Sequence, residues 1–401
     1  MWEWLSWESI KDNVLADQFG FSLLLVPVLF GVMMLAVAYS VLAERKIAGW
    51  IQDRYGPNRV GPWGLLQPIA DGIKALMKED ITPGHVDRAL FIFAPWMIFV
   101  VALVGFAVIP WGGAFRWPWM DESAEPILAQ VASIDIGLLY ILAVASLGVY
   151  GLVLGGWASN NKYSFYGGMR AAAQMLSYEV PLGMAVLVAI LTTGHLRLED
   201  MVLAQTGFAW TVLFHPAAAL ILFVSALAES NRTPFDLVEC EQELVGGFHT
   251  EYSAMKHALF FLAEYAHLIT GSAFIVAMYF GGYLIPGFTW LNESSSVWAM
   301  LARMLVFGGK VAAIIGFYML VRWTLPRFRF DQLMRLAWKS LVPMTMALVV
   351  LQGVIVYTDC SQWLALPGNV VIVVAAAVVG ARSGTPVTGR QQSLMRKEAT
   401  G

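Results

Sequence analysis

Long apolar runs alternate along this chain with short polar stretches rich in Lys and Arg. A helix needs about 20 apolar residues to cross a bilayer. Runs of that kind lie near residues 19–43, 89–110, 134–157, 171–193, 213–230, 255–281, 299–321, 340–357 and 363–381. The pattern predicts an all-α polytopic integral membrane protein of about nine transmembrane helices. The last run is the weakest, because Pro367 interrupts it, and eight helices is the alternative. The first run does not read as a cleaved leader. Acidic Glu3, Glu8 and Asp12 precede it, its core is long, and Glu44, Arg45 and Lys46 follow directly, so it is expected to stay as a first helix.

Charge between the runs sets the orientation. The stretches 44–88, 158–170, 230–256, 322–339 and 382–401 hold twenty Lys and Arg; the five that alternate with them hold three, Lys11, Arg116 and Arg197. Positive residues stay on the cytoplasmic side. The N-terminus is therefore expected outside, the basic loops and the basic tail 382–401 inside, and an odd number of spans follows. Composition agrees with a single membrane domain over 1–401: 58% of residues are apolar and 13% charged, against about a quarter charged in a soluble domain. Mean hydropathy is +0.65. A net charge of −3 gives no pull toward nucleic acid.

The chain has two cysteines, Cys240 and Cys360, which this topology places on opposite sides. They form no zinc or iron–sulfur spacing. His249, His257 and His267 are eight and ten residues apart and fit no common metal motif. No GxGxxG follows a strand and no GxxxxGK[ST] occurs. No bound metal or nucleotide is expected in this chain, and a partner must bring any electrons. The inverted repeat of many secondary transporters is not visible.

Two features break the simple pattern on the basic side. In the loop 44–88, Gly56-Pro57-Asn58 and Gly61-Pro62 are turn chemistry. Residues 63–78 then read as an amphipathic helix. Leu65, Leu66, Ile69, Ile73, Leu76 and Met77 fall on one face and Gln67, Asp71, Lys74 and Lys78 on the other. It serves either as an interfacial anchor or as a lintel over a lateral opening for an apolar ligand. The loop 230–256 gathers Asp236, Glu239, Glu241, Glu243 and Glu251, interleaved with Phe235, Leu237, Val238, Leu244 and Phe248. It is either a solvated acidic loop or a segment folded back on the membrane domain with shared protons.

Ionisable residues also occur inside the runs, where each costs about 2.5–3.5 kcal/mol on insertion scales. Glu229 ends the fifth run, Glu179 lies about 12 Å into the fourth at 1.5 Å per residue, and Glu264 lies half-way along the sixth. Lys310 sits near the middle of the seventh. The three glutamates are expected to form a ladder of increasing depth, Glu229, Glu179, Glu264. They either relay protons or hold helices together as neutral, hydrogen-bonded or Lys310-paired groups.

Four blocks carry a resemblance: "AERKIAGWIQDRYGPNRVGPWGLLQPIADGIK", "GWASNNKYSFYGGMRAAAQMLSYEVPLG", "ALAESNRTPFDLVECEQELVGGFHTEYSAMKHALFFLAEYA" and "RWTLPRFRFDQLMRLAWK". In order and length they closely resemble the H subunit of bacterial type I NADH dehydrogenase, the counterpart of the mitochondrial complex I core subunit 1. The blocks run from residue 43 to 339 and leave the N-terminal segment and everything past about 357 uncovered. The resemblance implies a subunit of a proton-translocating NADH:quinone oxidoreductase in the bacterial inner membrane. It would form the quinone tunnel with peripheral-arm subunits and couple quinone reduction to proton movement. Quinone, menaquinone or ubiquinone, is the implied substrate; NADH, FMN and iron–sulfur clusters belong to partner subunits, and small membrane subunits adjoin it.

Residue by residue, the resemblance puts Arg45, Asp53, Arg54, Arg59, Asp71 and Lys74 at the tunnel mouth. Phe235, Asp236, Glu239, Glu241 and Glu243 would face the quinone chamber, with Arg322, Arg327 and Arg329 on its border. Glu179, Glu229, Glu264, Glu251 and Lys310 are the implied proton-pathway residues. In the third run the only carboxylate is Asp135, at its outer edge. The alternatives are the related membrane subunit of a hydrogenase or formate hydrogenlyase, a stand-alone transporter, and a passive anchor for a peripheral arm.

Overall fold

A computed structural model describes residues 18–120, 125–207, 209–238 and 241–383. Twelve helices carry the fold: α1 Gln18–Ile51, α2 Gln67–Met77, α3 Arg88–Val104, α4 Gly137–Ala158, α5 Lys162–Thr193 and α6 Leu198–Ala204. There follow α7 Pro216–Glu229, α8 Ala254–Tyr279, α9 Val297–Thr324, α10 Phe330–Leu336, α11 Val342–Tyr357 and α12 Ala365–Ser383. A π turn, Ala337–Leu341, joins α10 to α11. Among the described residues seven helices are long and apolar enough to cross a membrane, counting α10 to α11 as one. Two shorter apolar helices, Pro216–Glu229 and Gln362–Val378, fall where the fifth and ninth runs predict spans. The protein is an all-α polytopic membrane protein; its only strands among the described residues are the two-residue pair Ala114–Phe115 and Ile127–Leu128.

Helix α8 is the axis of the bundle. In its most apolar window 72% of residues are buried, against 22% for α1, so α8 faces protein on nearly every side while α1 faces lipid. It packs against α3, α9, α1 and α7, and α5 closes the other flank against α4, α7 and α11. Helices in a bilayer associate through close packing, because lipid is as apolar as leucine. Small residues supply it where α4 crosses α5. A Cβ on Gly156 would stand 2.6 Å from Ser164 O and 3.2 Å from Gly168 Cα. Polar caps set the ends: Asp87 accepts from Ala89 N and Leu90 N at the start of α3, and Asn161 accepts from Tyr163 N at the start of α5.

Four expectations change. Helix α1 runs on to Ile51, so Glu44, Arg45 and Lys46 lie on it and not after it. Helix α2 starts at Gln67 and not at 63, because the chain turns through Pro62–Gly64 with Trp63 at φ 57°. The fifth span is short: it starts after a break at His215 and stops at Glu229. Pro367 does not interrupt the last helix. It sits in the first turn of α12, where a missing N–H costs nothing.

Candidate functional site: a buried string of carboxylates and cations

Because α7 stops early, the chain from Ser230 to Val238 continues as non-helical backbone. Backbone of this kind inside a membrane protein must find partners within the protein. Gln174 on α5 supplies them: its Nε2 donates to Ala228 O at 2.8 Å and Phe235 O at 2.9 Å and reaches Asn231 Oδ1 at 3.2 Å. Phe235 is 3% exposed, stacked on Phe328 at 5.5 Å and tilted against Tyr178 at 5.7 Å. This packing drives Arg232 and Asp236 into the protein beside α8.

The charges there pair in sequence. Glu44, on α1, contacts Arg322 Nη1 on α9 and accepts from Tyr265 Oη on α8 at 2.6 Å. The Arg232 guanidinium lies 4.0 Å from the Tyr265 ring centroid and its Nη2 is 3.1 Å from Glu264 Oε2. Asp236 Oδ2 meets Arg327 Nη2 at 3.2 Å. Burial, ahead of the opposing pull of Arg327, pushes the Asp236 carboxyl up to about 6. Glu264 pushes it the same way, so the two carboxylates feel each other.

One helical turn beyond Glu264 on α8, Glu229 Oε1 stands 3.5 Å from His267 Nε2. Glu264, Glu229, His267 and Asn231 line a cavity of ≈ 40 Å³. A second of the same size continues past Glu229 and His267 to Val144, Ala145 and Leu182. Each has room for water, which needs about 10–15 Å³ of such space per molecule. On the same turn of α4, Ser146 contacts Glu179 of α5.

The predicted ladder therefore has a different order. Glu264 lies nearer the basic side than His267, and Glu229 pairs with His267. Glu229 is not the shallowest group, because α7 ends inside the bundle. Lys310 pairs with none of the three glutamates. Its Nζ donates to Phe280 O, Gly282 O and Leu284 O at 2.7–2.9 Å, just past the far end of α8.

The other predicted residues are placed as follows. Arg45 Nη1 meets Asp71 Oδ2 at 2.6 Å, and Gln67 Nε2 reaches Asp71 Oδ1 at 3.0 Å. Asp53, Arg54, Arg59 and Lys74 are exposed, with Arg54 Nε on Gln52 Oε1. Glu243 pairs with Arg170 at 2.5 Å. Glu251 accepts from Asn161 Nδ2 at 2.7 Å. Arg329 is exposed beside Asp331. Glu239 and Cys240, and most of the tail 382–401, lie outside the described residues, as does the side chain of Glu241. Among the described residues no three His, Cys, Asp or Glu are grouped to hold a metal ion.

Sequence reasoning missed Glu44, Arg232, Ser146 and the His267 pairing. Arg232 stands in a quoted block, but its partner is thirty-two positions away in the chain. It also missed a second buried set on the opposite side of the bundle. There Tyr283 Oη donates to Glu199 Oε1 at 2.6 Å, and burial pushes the Glu199 carboxyl up. Arg303 ties the same region through Asn292 O and Ala114 O.

A helical bundle with seven helices among the described residues long and apolar enough to cross a membrane, and with paired acids in its interior, defines a multi-pass membrane protein. Residues 24–353 match the sequence profile of the NADH dehydrogenase family. The chain is 46% identical over 330 residues to an H subunit of the NADH-quinone oxidoreductase of Cytophaga hutchinsonii, covering 82% of this chain and 95% of that one. It is 47% identical over 326 residues to the H subunit of Flavobacterium psychrophilum, covering 81% and 94%. It is 46% identical over 330 residues to the H subunit of Rickettsia rickettsii, covering 82% and 91%. The chain belongs to the H-subunit family of the NADH-quinone oxidoreductases.

Proposed function

We propose that this chain is the membrane subunit that links quinone chemistry to proton movement in a proton-translocating NADH:quinone oxidoreductase of a bacterial inner membrane. The single observation that carries the reading is the run of partly buried acids, Asp236–Arg327, Glu264–Arg232 and Glu229–His267, in which one small cavity touches both Glu264 and Glu229. Quinone reduction takes up two protons and changes the local charge. A half-buried acid such as Asp236 answers such a change by gaining or losing its own proton. Its neighbours then shift in turn, because each pair holds its charge only against the next.

In this reading quinone enters beside α2, past Arg45 and Asp71, and is reduced next to the 235–243 segment. Peripheral-arm subunits complete that chamber and carry NADH, FMN and iron–sulfur clusters. The relatives named above are NADH-quinone oxidoreductase subunits, which disfavours the hydrogenase alternative.

Replacing Glu264 with Gln keeps its shape and removes its charge beside Arg232. In membrane vesicles this is expected to lower proton pumping severalfold while electron transfer to an artificial acceptor is largely kept. Equal retention of both would count against the reading. Entry of quinone is tested separately with a photoreactive quinone analogue, whose adducts should fall within residues 45–74 or 235–243. An adduct-free protein would favour a passive anchor.

A further inference from the structure

Helix α12 lies beyond the family match, which ends at residue 353, yet it is docked by specific polar contacts. Asn369, 1% exposed, donates from Nδ2 to Ala365 O at 2.8 Å and to Phe214 O at 3.4 Å, and lies 3.2 Å from His215 Nδ1. An amide nitrogen only donates, so Nδ1 of His215 accepts and Nε2 carries the ring proton. Gln352 on α11, fully buried, donates to Gln362 Oε1 at 2.9 Å. Apolar contacts close the joint: Phe214, Ile355 and Ala365 form one small core, and Trp363 meets the Phe214 ring edge-on at 4.9 Å. Gly368 allows the close approach, since a Cβ there would stand 2.5 Å from Leu351 Cδ2.

The docking is local. Past Asn369, Val370, Val371, Val374 and Val378 are exposed, as suits a lipid-facing helix. What the docked turn covers is polar. His215 is 0% and Thr211 1% exposed, the His215 ring interacts with the Gln352 side chain, and Thr211 Oγ1 and Asn369 Oδ1 are buried with no hydrogen-bond partner among the described residues. Such atoms gain from hydration as soon as water reaches them. His215 also stands at the start of α7, the helix whose other end is Glu229.

We propose that α12 is a seal: its first turns, held by Asn369 and by the Gly368–Leu351 contact, keep the opposite side's water from the polar start of α7. The proposal needs only the fold and stands apart from the quinone reading.

The test uses the assembled enzyme in sealed vesicles, with Cys240 and Cys360 replaced by Ser. Single thiols are placed by Thr211→Cys or Ala365→Cys, both buried positions, and probed with a membrane-impermeant maleimide from the side opposite the basic loops. Both are expected to resist labelling. Asn369→Leu, which keeps the branched outline in a bulkier apolar side chain and removes the polar contacts, and Gly368→Leu, which forces α12 off Leu351, are each expected to raise labelling at both positions severalfold. Labelling of Thr211→Cys with α12 unaltered would overturn the seal. So would Ala365→Cys becoming reactive while Thr211→Cys stays protected. Neither thiol responding would overturn the role given to Asn369 and Gly368.

Discussion

Glu44 shows how a single residue is read differently by sequence and by structure. In the bare sequence it belongs to a charged flank after an apolar run. Folded, it is 9% exposed and held by Arg322 and Tyr265. A lone carboxylate so placed would cost several kcal/mol, and a cation with a hydroxyl donor offsets most of that. Asp236 makes the clearest pH prediction. Its folded pKa of about 6 is above the ordinary 3.8, so the folded chain binds that proton more tightly than the unfolded one. Its contribution to stability is complete below about pH 3.8 and is lost as pH rises through about 6. Asp236→Asn should remove that slope: melting temperature in detergent, followed across the interval, should fall more for the parent chain than for the variant. Parallel curves would show that burial does not govern the group.

Lys310 makes the opposite kind of prediction. Three carbonyls at the end of α8 and the Trp210 ring at 4.5 Å surround its ammonium. Carbonyl oxygens accept a hydrogen bond but do not carry a proton onward. Lys310→Met should cost about 1–3 kcal/mol in stability, the usual penalty for buried acceptors left unpaired, and leave protons pumped per electron unchanged. A lost pumping ratio at full stability would instead put Lys310 on the pathway.

At the scale of elements, packing decides what periodicity can only suggest. Helix α2 shows the predicted two faces, yet none of its residues is buried; Ile69, Ile73, Leu76 and Met77 are open on one side while Asp71 turns to Arg45 on the other. Where α4 crosses α5, the Gly156–Gly168 contact puts backbone against backbone. Gly156→Leu should separate the two helices and destabilise the protein by about 1–3 kcal/mol, as overpacking does. Because Ser146 and Glu179 sit on these same two helices, the same variant should lower pumping, measured beside its melting temperature. A fully stable, fully coupled variant would show that the crossing does not position Glu179.

In the whole molecule, the apolar runs alone determined the class: an all-helical chain that crosses the membrane many times. Those features follow from length and composition, because a bilayer admits few ways to satisfy backbone hydrogen bonds. The quoted blocks also marked Asp236, Glu179, Glu229 and Glu264 as special. Their order was not legible. It depended on α7 stopping at Glu229 and on the chain folding back under Gln174, which bring Arg232 to Glu264 and Glu229 to His267. Glu44 meets Tyr265 across 221 positions of chain. A local pattern records which residues prefer water or lipid; which acid finds which cation is decided only when distant helices close on one another, and that is where the tertiary structure alone wrote the string.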